Sequence, residues 1–493
     1  MLQPAKKSRF RITPRIQLPV VIFQFVMGST LGLYVYTFGD ILFNRLKGAG
    51  LPEPDALFWT AAVFTIGLLL ELPFEILTGV FADGLGRKFS VVVSLVFRAL
   101  FFGALIGLAL FAVPASEFAG SVGTGKAALV QLFSQPGSAV PVISVAIASV
   151  TLFALHYTLQ SGSFDAWMAG SLDEQAHVET NRPLTDSEAN ERAACLTKLS
   201  FRGEFVFDLA QLFGTLAGVY YNNVLKLPSA AFLCGAALCV FGASACSLYM
   251  RENRGLFARP REMLTSRRFK LMHKMWDLTW ISFHTFRRDV HLLVSFAAMA
   301  AFMSLIYLVD LMWVVYSENT FAGFRENLYL FVAALIVTSM LGNVISAWYF
   351  ERRKDLRSLI WLNCVLNFAF AIPMFALVWF SSNNMPVFLV LMGSHRMFAG
   401  ATLAAGKALR NSLIKPGSST TATMLSIGQM FSNLCIASLV LLGIGEKPNS
   451  IQDWQYPAMA VLVTVTIMTY VLLRYPHRRS RNNSRRSLTG KTE

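Results

Sequence analysis

The feature that most constrains this chain is the recurrence of apolar runs as long as a bilayer is thick. A membrane-crossing helix needs roughly 20 mostly apolar residues, because hydrocarbon offers backbone amides no partner outside the helix itself. Twelve such runs are expected, at about 18–42, 57–82, 89–112, 141–169, 198–221, 228–250, 290–316, 327–350, 359–380, 386–409, 420–442 and 456–473. Only 14% of the residues are charged and 55% are apolar, against about a quarter charged in ordinary globular chains. An even number of spans puts both termini on one side. With both ends cytoplasmic, that side holds 34 of the 43 Lys and Arg, the opposite loops hold six, and Arg98, Arg202 and Arg396 fall within spans. The bias of basic residues toward the cytoplasm fixes this orientation.

The expected architecture is an all-α polytopic membrane protein of the cell membrane. It has a basic tail (1–17), a six-helix bundle (18–250), a cytoplasmic amphipathic linker (251–289), a second six-helix bundle (290–473) and a second basic tail (474–493). The net charge of +15 lies in loops and tails while the aromatics lie in apolar runs. The charge therefore points to topology and anionic lipid rather than nucleic acid. The first apolar run is too long for a cleavable secretory signal. Five of the six cysteines (Cys234, Cys239, Cys246, Cys364 and Cys435) lie in apolar runs and Cys195 in a loop, without metal-ligand spacing. In the linker, Phe269, Met272, Trp276, Trp280 and Phe283 recur at helical spacing, with Arg267, Lys270 and Lys274 on other faces. That is the pattern of a helix lying in the head-group plane. Loop 170–197 is acidic (Asp173, Glu174, Glu179, Asp186, Glu188, Glu191). It reads as a solvated loop, or alternatively as a docking surface for nearby bases.

The most informative segment closes the second run. Within Glu75-x-x-Thr78-Gly79-x-x-Ala82-Asp83-x-x-Gly86-Arg87-Lys88, Gly79 allows another helix to approach closely and Gly86 allows a tight turn. Asp83 can accept backbone amides or pair with a base, and Arg87 and Lys88 hold the turn at the cytoplasmic face. This segment resembles the loop 2–3 signature of the major facilitator superfamily, in the branch written E-x-P-T-G-x-x-A-D-x-x-G-R-K, with Leu77 in place of the proline. Ser161-Gly162-Ser163-Phe164-Asp165-Ala166 resembles that branch's S-G-x-x-E-A motif, with Gly170 where a second acid is usual. Arg396-x-x-x-Gly400, Asn411 and Thr423-Met-Leu-Ser426 resemble its span 10–11 signature, with Thr421 in place of a gate arginine. Gly342 followed by Glu351-Arg352-Arg353-Lys354 is a weakened second copy of the first loop. The resemblance implies twelve spans in two pseudo-symmetric bundles, a monomer, a small-molecule substrate, and gate residues at Gly79, Asp83, Gly86, Arg87, Lys88 and Asp165.

Ionisable side chains at bilayer depth face protein or water and usually have partners. Glu71, Glu75, Gly79 and Asp83 are spaced by four and share one helix face, with Glu75 about 12 Å and Glu71 about 18 Å from Asp83. Arg98, at a similar depth of about 15 Å, is expected to pair with one of these glutamates. Glu75 is open to two roles, a permanent ion pair or a proton carrier. Asp208, Asp310, His395 and Arg396 complete the candidates for cavity or coupling. Asp310 is placed where external water can reach it, and His395 either titrates or packs.

The function these features favour is a proton-coupled secondary transporter of a small solute, tilted toward efflux, with no cofactor. An uptake permease and a transporter-like sensor or scaffold are the alternatives. No G-x-x-x-x-G-K-[ST] sequence is present to bind a nucleotide, and no H-E-x-x-H or G-x-S-x-G arrangement suggests an enzyme.

Overall fold

The structure is a computed structural model that describes residues 10–35, 37–110, 139–178, 184–253, 268–289, 292–303, 306, 328–353, 355–380, 384–415 and 420–444. These residues form helices α1 (Pro14–Tyr34), α2 (Phe38–Gly48), α3 (Glu53–Gly84), α4 (Arg87–Leu110), α5 (Ala139–Ser161), α6 (Ser163–Gln175) and α7 (Asp186–Val219). They continue with α8 (Pro228–Tyr249), α9 (Arg268–Arg288), α10 (Leu292–Met303), α11 (Leu328–Arg353), α12 (Leu356–Phe380), α13 (Met385–Leu413) and α14 (Thr421–Ile444). Among the described residues, eight helical stretches are long and apolar enough to cross a membrane. This is a multi-pass membrane protein. Span twelve, residues 111–138, the tail 474–493 and Asp310 lie outside the described residues.

Most expected spans coincide with helices to within a few residues, and three depart from expectation for local reasons. The first helix begins at Pro14, where Thr13 is the N-cap and proline supplies a ready-made first turn. It ends at Tyr34 rather than continuing to 42, and the short helix α2 follows. The fourth span breaks at Gly162 into α5 and α6. The fifth begins at Asp186 rather than 198, because the Thr185 hydroxyl accepts from the Glu188 amide while the Glu188 side chain accepts from Thr185, forming a capping box. Much of the expected acidic loop is therefore helix.

The first bundle is built from α1 and α3–α8, with α1 packed along α7, α4 along α8 and α5, and α3 along α5. Its interior holds Phe23, Val91, Leu95 and Trp167 near one end and Phe101, Phe102, Leu105 and Phe232 toward the other. The second bundle packs α11, α12 and α13 around Phe302, Phe370, Met392 and Leu362. The seam between the bundles is carried by α3 with α14 and by α7 with both α11 and α13, all antiparallel. Helix α9 leaves Trp276, Trp280 and Phe283 exposed and packs beside both α3 and α14.

Candidate functional site

Helix α3 meets α14 where α3 has no side chain. A Cβ on Gly79 would stand 2.7 Å from the Ser426 Cβ and 2.9 Å from the Thr423 Cα. Gly162, at the break between α5 and α6, does the same on the other flank, at 2.5 Å from the Ala422 carbonyl oxygen. Small residues let the two bundles touch backbone to backbone. One turn beyond Gly79, Asp83 is fully enclosed and uses both oxygens. Its Oδ1 accepts from the Arg87 guanidinium (2.8 and 3.1 Å), and its Oδ2 accepts from the Thr423 amide (2.8 Å) and hydroxyl (2.9 Å). Arg87 also donates to the Ala166 carbonyl at 3.0 Å. Asp83 thus caps the positive N-terminus of α14 across the seam. The helix end supplies what the missing arginine at Thr421 was expected to supply.

The turn after α3 is held from a third direction. Gly86 takes φ +155°, which L side chains rarely adopt, and a Cβ there would run into the Glu252 carboxylate. Glu252 accepts from the amides of Arg87 (2.9 Å), Lys88 (3.3 Å) and Phe89 (3.2 Å), satisfying the open donors at the start of α4. The Trp167 indole donates to the Arg251 carbonyl at 2.8 Å, and Asn253 donates back to the Trp167 carbonyl at 2.9 Å. These bonds fix the segment leaving α8 beneath α4 and α6. At the corresponding start of α12, Asn190 of the first bundle accepts from the Leu356 amide at 3.2 Å and Asp355 accepts from Ser358 at 2.9 Å.

The other helix pair is fastened at the same end. Arg192 grips Asp173 with two bonds (2.6 and 3.1 Å) and donates from Nη1 to the carbonyls of Asn411 (3.1 Å) and Ile414 (3.2 Å), at the negative end of α13. Lys407 meets Glu204 at 2.6 Å, and Lys198 meets Glu351 at 3.3 Å in a solvated pair. Asp165 is half-buried and within electrostatic reach of Lys407 and Arg410. For loop 170–197, the docking alternative describes Asp173: it is buried in a pair, and that pair reaches the second bundle through Arg192.

Deeper in the seam, each helix pair holds one carboxylate from the first bundle against an amide from the second. On α3, Glu71 accepts from Asn433 at 2.8 Å; Asn433 accepts from Gln429, whose amide also reaches the Tyr157 hydroxyl at 3.2 Å. On α7, Asp208 accepts from Asn343 and Ser339, both at 2.9 Å, with Arg396 in electrostatic reach. Glu75 is fully buried on α3 and takes one bond from Ser161 at 2.7 Å, while its second oxygen has no hydrogen-bond partner.

The four-residue stripe of α3 therefore faces the seam as the sequence suggests, but the Glu–Arg pair does not form. Arg98 points into the first bundle, with Nη1 2.7 Å from His156 Nε2, Nη2 donating to the Met27 carbonyl and the guanidinium 5.7 Å from the Tyr34 ring. The Ser94 carbonyl accepts from His156 Nδ1 at 2.8 Å, which leaves Nε2 free to accept from Arg98. His395 is fully enclosed with its ring 4.5 Å from Phe370, and neither nitrogen has a hydrogen-bond partner. Sequence reasoning missed His156, Arg192, Glu252 and Lys407. The Thr185-x-x-Glu188 spacing was the available signal for a helix that would carry Arg192. Among the described residues, no three His, Cys, Asp or Glu side chains cluster as metal ligands.

No protein-family model and no curated protein sequence matches the chain. Solved structures do. A bacterial homologue of the iron transporter ferroportin, in an outward-facing state with soaked iron, superimposes with a TM-score of 0.61 at 14% identity, covering 93% of this chain and 99% of that one. The human organic anion transporter MFSD10 gives 0.60 at 13% identity, over 96% and 100%. The major facilitator superfamily proton:xylose symporter XylE gives 0.60 at 13%, over 93% and 95%. With two helical bundles meeting along α3 and α14 and along α7 and α11, this chain has the fold of these major facilitator superfamily structures.

Proposed function

We infer that the protein is a secondary transporter that moves a small solute by alternating access, with both termini cytoplasmic and the Asp83 end of the seam acting as the cytoplasmic gate. The observation that carries this reading is the double use of Asp83, which holds Arg87 in its own bundle and the N-terminus of α14 in the other. A permanent joint between bundles would be built from apolar packing. A latch of hydrogen bonds to helix ends, repeated at Arg192, can be exchanged for water as the gate opens. The transporter neighbours support solute movement. Gly79, Gly86, Lys88 and Asp165 belong to the same gate, as spacer, turn, membrane-face anchor and half-buried acid.

Proton coupling follows from the mid-depth acids. Glu71, Glu75 and Asp208 hydrogen-bond only neutral side chains, so a proton is the simplest species to balance their charge. Two of them bond across the seam and must change partners when it opens, the condition for tying proton binding to conformation. Efflux is the preferred direction, with uptake as the alternative. The test is flux in proteoliposomes against a panel of sugars, organic anions and amphiphilic cations, with and without a protonophore. Collapse of the gradient should stop accumulation of the carried compound. No flux of any panel compound, with the gate still opening and closing by spectroscopy, favours the sensor reading.

A further inference from the structure

We propose that the crevice between α1, α7 and α11 is a binding site for an anionic phospholipid. The cavity holds about 720 Å³ and runs along the second seam from Ala194 to Val206 on α7 and from Glu351 to Asn343 on α11, with Gln17 and Val21 of α1 on its flank. The twelve residue steps from Ala194 to Val206 make it about 18 Å long, the scale of an acyl chain. Its floor is apolar, set by Phe201, Phe205 and Val344. Its mouth is basic. Lys198 and Arg202 line it, and the Arg352 guanidinium stacks 3.7 Å over the ring of Trp348 at the rim. Glu351 is the one acid there, and its pairing with Lys198 leaves two cations in excess. Arg202 is exposed and makes no hydrogen bond or ion pair among the described residues.

This division of labour selects the ligand. A small soluble anion would use the mouth and leave the apolar floor empty, and a lipid with no net charge would use the floor and gain nothing from the excess cations. A phospholipid with a net negative head group satisfies both, its phosphate on Arg202 and one chain along Phe205 and Val344. Bound there it would touch both bundles and add to the fastening of the seam by Arg192 and Glu204. The site is independent of which solute, if any, is carried.

Native mass spectrometry of the full chain, released from micelles containing phosphatidylglycerol or phosphatidylcholine, tests this directly. One retained phosphatidylglycerol per chain is expected, with phosphatidylcholine lost. Arg202→Gln should weaken retention about fivefold, the value of one basic group at a membrane surface. Val344→Trp fills the floor with all charges intact and should remove the bound lipid, while Lys47→Gln, far from the crevice, should change nothing. Equal retention of both lipids, wild-type binding by either crevice variant, an equal loss in Lys47→Gln, or displacement by glycerol phosphate would each overturn the assignment.

Discussion

Replacing Asp83 with asparagine separates what holds one bundle together from what holds two bundles to each other. The substitution keeps the shape of the side chain and removes its charge and one acceptor oxygen. Bonds from Arg87 to Oδ1 lie within the first bundle and do not cross the seam, so their loss is expected to lower stability without moving the gate. The two bonds from Thr423 to Oδ2 cross the seam, so in the proposed gate they are lost on opening. A hydrogen bond to a charged acceptor contributes about 1.5–3 kcal/mol. Because both Thr423 donors meet the same oxygen and water replaces them on opening, we take less than the sum of two independent bonds. The closed form should lose about 2–3 kcal/mol, a shift of roughly 30- to 150-fold in the closed-to-open ratio. Spin labels at Lys88 and Lys415 report the separation at this end of the seam. Pulsed dipolar spectroscopy should show a short distance in the wild type and a second, longer population in Asp83→Asn. Thr423→Val removes only the hydroxyl bond and should move the balance by less. Identical distance distributions in all three proteins would refute the gate assignment, whatever happened to flux.

Four further outcomes are expected. Arg192→Gln abandons Asp173 in a buried setting and uncaps the end of α13, and should cost about 3–5 kcal/mol, seen as a lower Tm in detergent; an unchanged Tm would show the pair to be replaceable by water. Gly79→Val places atoms where Ser426 and Thr423 already stand, so the label distance should lengthen, and a normal closed distance would mean the helices can slide apart cheaply. Glu75→Gln should abolish the proton dependence of flux while preserving insertion. Glu71→Gln and Asp208→Asn, made in parallel, show whether the role has moved to a seam acid, and unchanged pH profiles in all three would remove proton coupling through these acids. His156→Leu removes the acceptor that Arg98 uses and should destabilise the first bundle by about 2 kcal/mol, and full stability would show that Met27 alone suffices.

How much of this was legible in the sequence depends on which coordinate was being read. Position along the membrane normal comes from counting residues, so the spans and the depths of Glu71, Glu75, Asp83 and Arg98 were accessible. Position around the helix axis came from spacing for the Glu71-to-Asp83 stripe, because residues four apart share a face. Arg98 had no such companion. Its depth matched the glutamates, but its direction was set by the packing of α4 against α5 and α8, and it found His156 instead. Partners across the seam were illegible for a similar reason: nothing in one helix names the residue of a distant helix that will face it, so Asn433, Asn343 and the amide of Thr423 could not be assigned. Charge density misled at 170–197, where acids suggest a solvated loop. The local capping box at Thr185 and Glu188 starts a helix there all the same, and Arg192 is then carried to Asp173.

The account rests on a seam that must separate for solute to pass. Lys198 and Glu351 face each other across it and are accessible to reagents, so the paired substitution Lys198→Cys and Glu351→Cys, in a background with Cys195→Ser, can be joined by a short reducible cross-linker. Flux of whichever panel compound the parent carries should stop on cross-linking and return on reduction. Undiminished flux through the locked protein would mean that transport does not require the bundles to part at this end.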